Sequence, residues 1–217
     1  MNFKITISKK DVLFCLILGL AISCFFSVMI KFIKAENFLT EKLNYYFHIT
    51  WPLSIIIFFF FPIFSLLFFL FTFLLGNIKP VFHQLGKFVL VGVLNTFVDW
   101  GVLTLFLNFT HFTSGIGYSF LKGISFIVAN INSYFWNKFW TFKATEVKQN
   151  PTEFLQFLFV SIGGFIINVG VATSFVQLFK RPINITPEIW AVIGAAIATL
   201  FSVAWNFAGY KIFVFKK

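Results

Sequence analysis

KFVLVGVLNTFVDWGVLT, residues 87–104, is answered further along the chain by QFLFVSIGGFIINVGVAT, residues 156–173. Phe, Val, Gly, Val and Thr recur in register, and Asp99 is matched by Asn168. A second pair of phrases closes each copy: NKFWTFK, residues 137–143, and YKIFVFK, residues 210–216, where Lys138 matches Lys211 and Phe142 matches Phe215. Each unit therefore reads as a helical hairpin that ends in a basic-aromatic clamp. Two hairpins in tandem keep the same membrane orientation, and their junction is the expected place for a site that handles an amphiphilic molecule.

The composition around this repeat defines its solvent. Of 217 residues, 59% are hydrophobic, 22% aromatic and only 11% charged, which excludes an ordinary soluble domain. The net charge of +10 does not point to nucleic acid, because the basic residues sit singly or in pairs at the ends of apolar stretches rather than in runs. Cys15 and Cys24 lie on opposite faces of one helical stretch and cannot bridge. His48, His83 and His111 are scattered through connecting segments without a second ligand at metal spacing, so neither a metal nor a cofactor is expected.

A spanning helix needs about 20 apolar residues. Six stretches qualify or nearly do: 12–30, 53–75, 88–109, 118–136, 154–179 and 189–210. The first is read as an uncleaved span, being long for a signal peptide and lacking a small-residue cleavage site. Pro62 is expected to kink the second rather than end it. The fold class is thus an all-α integral membrane protein of six transmembrane helices, the last four being two tandem two-helix repeats.

Lys4, Lys9, Lys10, Lys79, Lys87, Lys138, Lys143, Lys148, Lys211, Lys216 and Lys217 fall on one side of such a topology, and Lys31, Lys34, Lys42, Lys122, Lys180 and Arg181 on the other. That asymmetry puts both termini in the cytoplasm. Trp136 and Trp140 then lie at the cytoplasmic interface, and Trp51 and Trp190 at the outer one. Before residues 76–80 the spans are almost purely apolar, whereas every span after them carries Asn, Ser, Thr, Gly or Asp, so residues 1–80 read as an added hairpin and 81–217 as a four-helix functional domain.

Asp99 is the one acidic residue deep within a span, and intramembrane acids are costly unless neutral, paired or wetted. Gly92, Asn95, Thr96, Asp99 and Leu103 share a helix face, and Ser161, Gly164, Phe165, Asn168 and Ala172 form the matching face of the second copy. Close packing accounts for the small residues; Asn95 beside Asp99 looks more like the lining of a cavity. Asn130, Ser133 and Asn137 in one span, and Gly194, Ala198, Ser202 and Asn206 in another, make stripes that run toward the clamps. Lys138 and Lys211 could hold a phosphate as point charges, or could simply anchor helix ends. Lys122 could receive the same phosphate on the outer side or could snorkel.

These residues resemble the GtrA family of small bacterial membrane proteins over roughly residues 87–216, through FVLVGVLNTFVDW, SYFWNKFWTF, FLFVSIGGFIIN and NFAGYKIFVF. The family's closing motif carries Asn-Arg; here Lys138 and Lys211 stand for the arginine and Tyr210 for the second asparagine, so the charge is kept without the guanidinium fork. The resemblance implies movement of a polyprenyl-phosphate-linked sugar across the bacterial cytoplasmic membrane for cell-surface polysaccharide or lipid A modification, beside a glycosyltransferase of the same pathway.

The residue pattern fits this. Lys138 and Lys211 would engage the phosphodiester, Asn95, Asp99, Asn130, Asn137, Asn168 and Asn206 would line the polar path, and Lys122 would assist on the outer side. No residues are arranged for bond breaking, so an enzyme is not expected, and a homodimer would widen so slender a pathway. Two alternatives stay open: a membrane subunit that anchors a glycosyltransferase, and a proton-coupled exporter of small cations built on Asp99.

Overall fold

The computed structural model describes residues 7–32, 53–111, 115–144, 152–183 and 187–215. Lys4, Lys34, Lys42, Trp51, Lys148, Lys216 and Lys217, used above to orient the chain, and His48 lie outside the described residues. Every regular element among the described residues is helical, as an apolar environment demands of a backbone that must satisfy its own hydrogen bonds. The order is α1 (Lys9–Phe32), α2 (Leu53–Gly76), α3 (Pro80–Thr110), α4 (Gly115–Trp136), a π-turn (Asn137–Thr141), α5 (Glu153–Leu178), α6 (Pro187–Gly209) and a second π-turn (Tyr210–Val214).

Five of these helices are long and apolar enough to cross a bilayer. The remaining one, α4, has 22 residues, about 33 Å at 1.5 Å per residue, which is length enough. Lys122, Ser125, Asn130, Asn132 and Ser133 dilute its apolar character. The protein is a multi-pass helical membrane protein.

Helix α3 begins earlier than its apolar run, because Pro80 takes the first helical position, where its missing N–H costs nothing. It ends at His111, whose left-handed backbone (φ 58°) lets its N–H return to the Leu107 carbonyl. One consequence corrects the sequence reading: Lys87, counted as an interfacial flank, lies two turns inside α3 and is buried.

The chain divides into two compact units, residues 1–141 and 142–217. In the first, α1, α2 and α3 pack mutually and α4 pairs with α3. Cys15, Leu18 and Ile22 of α1, Phe69 of α2, Leu90, Val91, Leu94 and Val98 of α3, Ala129 of α4 and Trp140 form the core. Helix α2 runs through Pro62, and α1 comes so close there that a Cβ on Gly19 would overlap the Pro62 backbone. Ser23 of α1 donates to the Ile57 carbonyl at 3.0 Å, a side-chain bond that serves the backbone near the proline. The outer face of α2, with Phe59, Ile63, Leu67, Phe71 and Leu74, stays exposed for lipid.

The second unit is the pair α5 and α6 with the second π-turn. Its helices approach through small residues: Gly163 lies under the Trp205 ring, and a Cβ on Gly164 would overlap the Asn206 amide. Phe165, placed by helical spacing on this packed face, is instead 62% exposed. At 3.6 residues per turn it falls beside the contact stripe rather than on it.

Candidate functional site

Both closing phrases fold into the same irregular turn. Asn137–Thr141 and Tyr210–Val214 are five-residue π-helical segments, in the same register of the two repeats. Each packs on the first helix of its own copy. Such wide turns are uncommon and often occur at functional positions. Lys138 donates to the Tyr134 hydroxyl at 3.0 Å, and Lys211 is exposed.

In the first unit the structure brings Asp99 and Lys122 together as an ion pair, with side chains 17% and 39% exposed. Ser125 donates to the second carboxylate oxygen of Asp99 at 2.6 Å. Lys122, expected at an interface, is therefore the partner that makes an intramembrane carboxylate tolerable. Asp99 lies about 16 Å from the C-terminal end of α3 and Lys122 about 10 Å from the start of α4, distances that a lysine stem joins easily. Asn95 sits one turn before Asp99, and its Oδ1 is buried without a hydrogen-bond partner among the described residues.

From Ser125 a buried polar stripe descends α4 through Asn130, Ser133 and Asn137 to the first π-turn. Asn130 donates to the Phe126 carbonyl at 2.8 Å, and Asn137 to the Ser133 carbonyl at 2.9 Å, so each spends an amide N–H on its own helix. The acceptor Oδ1 of Asn137 has no partner among the described residues, although the residue is only 1% exposed. Beside this end lies a groove of about 270 Å³ walled by Phe14, Asn132, Phe135, Trp136, Phe139 and Trp140.

In the second unit Asn168 donates weakly to Ser202 at 3.4 Å and reaches Thr199 at 3.5 Å. The position shared by Asp99 and Asn168 thus contacts a serine on the second helix in both copies. Asn206 packs over Gly164, and its Oδ1 is buried and unpartnered among the described residues. Below it, Tyr210 shares a 2.6 Å hydrogen bond with Ser161 and stacks on Phe157 with ring centroids 4.1 Å apart. The expected residues accordingly form two sets, Asn95, Asp99, Lys122, Asn130, Asn137 and Lys138 in one unit and Asn168, Asn206 and Lys211 in the other.

Sequence reasoning missed a further cluster. Asp11 of α1 accepts from Lys87, from Trp140 Nε1 at 3.0 Å and from Ser8 Oγ at 2.8 Å. Trp140, expected at an amphipathic interface, is instead buried in the core. A lone acid in an otherwise basic N-terminal flank was the available signal, since a carboxylate beside an apolar run needs a counter-ion.

A multi-pass membrane protein with tandem hairpins and matched basic turns is the class these features define. The chain belongs to the GtrA family, its residues 87–215 matching the family model described as GtrA/DPMS, transmembrane domain. It is thereby a glycosylation-related membrane protein. It is similar to the uncharacterized membrane protein YngA of Bacillus subtilis (strain 168), with 30% identity over 139 residues, 64% of this chain and 84% of that protein. No solved structure matches it.

Proposed function

We propose that this protein is a non-catalytic translocator of a polyprenyl-phosphate-linked sugar across the bacterial cytoplasmic membrane, both termini facing the cytoplasm. The observation that carries the proposal is the polar seam of the first unit, which joins the Asp99–Lys122 pair to the π-turn bearing Lys138 through Ser125, Asn130, Ser133 and Asn137. A phosphate held by Lys138 would place its sugar near a line of amides and hydroxyls, among which the buried, unpartnered oxygens of Asn95 and Asn137 would accept from sugar hydroxyls once the seam opens. The polyprenyl chain would stay in lipid along aromatic surfaces. A separate glycosyltransferase would use the delivered sugar.

A proton-coupled exporter needs Asp99 to exchange a proton for its cation, and the Lys122 ammonium already occupies the place of that cation. The test is reconstitution into vesicles with a labelled polyprenyl-phosphoryl sugar, reading its accessibility to an external reagent. Wild-type protein accelerates exchange and Asp99→Ala slows it. Equal exchange in empty and protein-containing vesicles would remove the proposal.

A further inference from the structure

The family match begins at Lys87, yet the carboxylate that pairs with Lys87 belongs to α1, far outside the match. Asp11, Lys87 and Trp140 are 4%, 3% and 2% exposed, so three groups that are costly to bury alone are buried together. Oδ1 of Asp11 receives both Lys87 Nζ and Trp140 Nε1, while Oδ2 receives Ser8. The lysine also lies 5.4 Å over the Trp140 ring and 5.8 Å over Phe69. Trp140 is the fourth residue of the first π-turn, two positions after Lys138. Phe14, one turn beyond Asp11, meets Trp136 and Trp140 edge-on at 5.6 and 6.1 Å.

The second copy holds its turn by other means. Gln156 stands at the position of Lys87 and is exposed, and Phe213 stands at the position of Trp140 and is 68% exposed. Its π-turn is fixed instead by Tyr210 on Ser161 and Phe157. The two turns share one backbone shape with different fastenings, and α1 fastens the first.

We infer that Asp11 is a positioning residue for the first clamp: through its hydrogen bond to Trp140, with Lys87 as counter-ion, α1 sets the π-turn that presents Lys138. The N-terminal hairpin is then a working part of the site rather than an added anchor. This rests on the proposed role of the turn lysines in holding phosphate.

The experiment uses the full chain in vesicles containing a polyprenyl phosphate, with a membrane-permeant amine-reactive reagent and peptide mass spectrometry to follow Lys87, Lys138 and Lys211 separately. In the wild type, Lys87 is protected and polyprenyl phosphate slows labelling of Lys138 and Lys211. Asp11→Ala is expected to raise Lys87 labelling at least tenfold and to reduce lipid protection of Lys138 at least fivefold, with protection of Lys211 unchanged. Because an unpaired lysine could unfold that variant, two double variants separate charge from hydrogen bond. Asp11→Asn with Lys87→Met keeps an acceptor for Trp140 and retains Lys138 protection; Asp11→Leu with Lys87→Met loses it.

Equal protection in both double variants, or parallel loss at Lys138 and Lys211, would overturn the inference. If polyprenyl phosphate protects neither lysine in the wild type, the proposed function fails by itself. Selective exposure of Lys138 to the reagent in Asp11→Ala, with Lys211 unmoved, would then still uphold Asp11 as the residue that sets the first turn.

Discussion

Lys138 and Lys211 stand in one relationship repeated twice. Each is the second residue of its π-turn, and each ammonium lies over the face of an aromatic ring four residues earlier, Tyr134 at 5.4 Å and Phe207 at 5.7 Å. A ring face attracts the cation without neutralising it, so the charge stays available to an anion. Replacing either lysine by alanine is expected to slow headgroup exchange on the order of tenfold, the loss of one charge-assisted hydrogen bond. Arginine at either position should keep or raise the rate, because its fork binds phosphate through two N–H groups. Vesicle exchange with each variant checks this.

The Asp99–Lys122 pair predicts an asymmetry between single and double variants. Lys122→Met leaves a carboxylate with Ser125 as its partner among the described residues, and Asp99→Asn leaves a lysine without its anion. Each single variant should lose about 1–3 kcal/mol, and the double variant should recover most of it because no lone charge remains. Unfolding midpoints in detergent, run as a double-mutant cycle, measure the coupling. Additive losses would show that the pair contributes nothing to stability.

Tyr210→Phe removes the hydroxyl shared with Ser161 and keeps the ring stacked on Phe157. Ser161 retains its bond to the Phe157 carbonyl at 3.0 Å, so the expected cost is small, about 1 kcal/mol. Ser161→Ala in the Tyr210→Phe background should add little. The same detergent unfolding series decides it.

Glycines divide sharply by their surroundings. Gly19→Ala drives a methyl into the Pro62 backbone and should cost about 1–3 kcal/mol through forced separation of α1 and α2. Among the described residues, Gly92 has nothing within 4 Å of the corresponding position. Gly92→Ala should therefore be neutral or stabilising by up to about 1 kcal/mol through helix propensity. Thermal midpoints in one detergent should fall for Gly19→Ala and hold or rise for Gly92→Ala.

The helical repeat is legible in the sequence because duplication preserves both the phrases and their spacing, and six apolar runs announce helices whatever their packing. What the runs conceal is pairing. Asp99 and Lys122 are 23 residues apart, and Asp11 and Lys87 are 76 apart. A lysine near the end of an apolar run reads as a topological flank, so Lys87 and Lys122 disappear into a charge count. Only the start of α3 at Pro80 moves Lys87 inside. The π-turns are equally hidden, since Asn137–Thr141 has no composition that separates a wide turn from a continuing α-helix. Helical spacing was a sound guide for Ser161, Gly164 and Asn168 but too coarse elsewhere: Phe165 falls outside the packed face, and Gly92 and Thr96, grouped with Asp99 on one face, are exposed.

The separation of Asp11 from Lys87 also bears on synthesis. At roughly 5–20 residues per second, a ribosome delivers the lysine about 4–15 s after the carboxylate. During that interval Asp11 lacks the counter-ion with which it is buried in the finished fold. The buried pair therefore closes only after the third helix has been made.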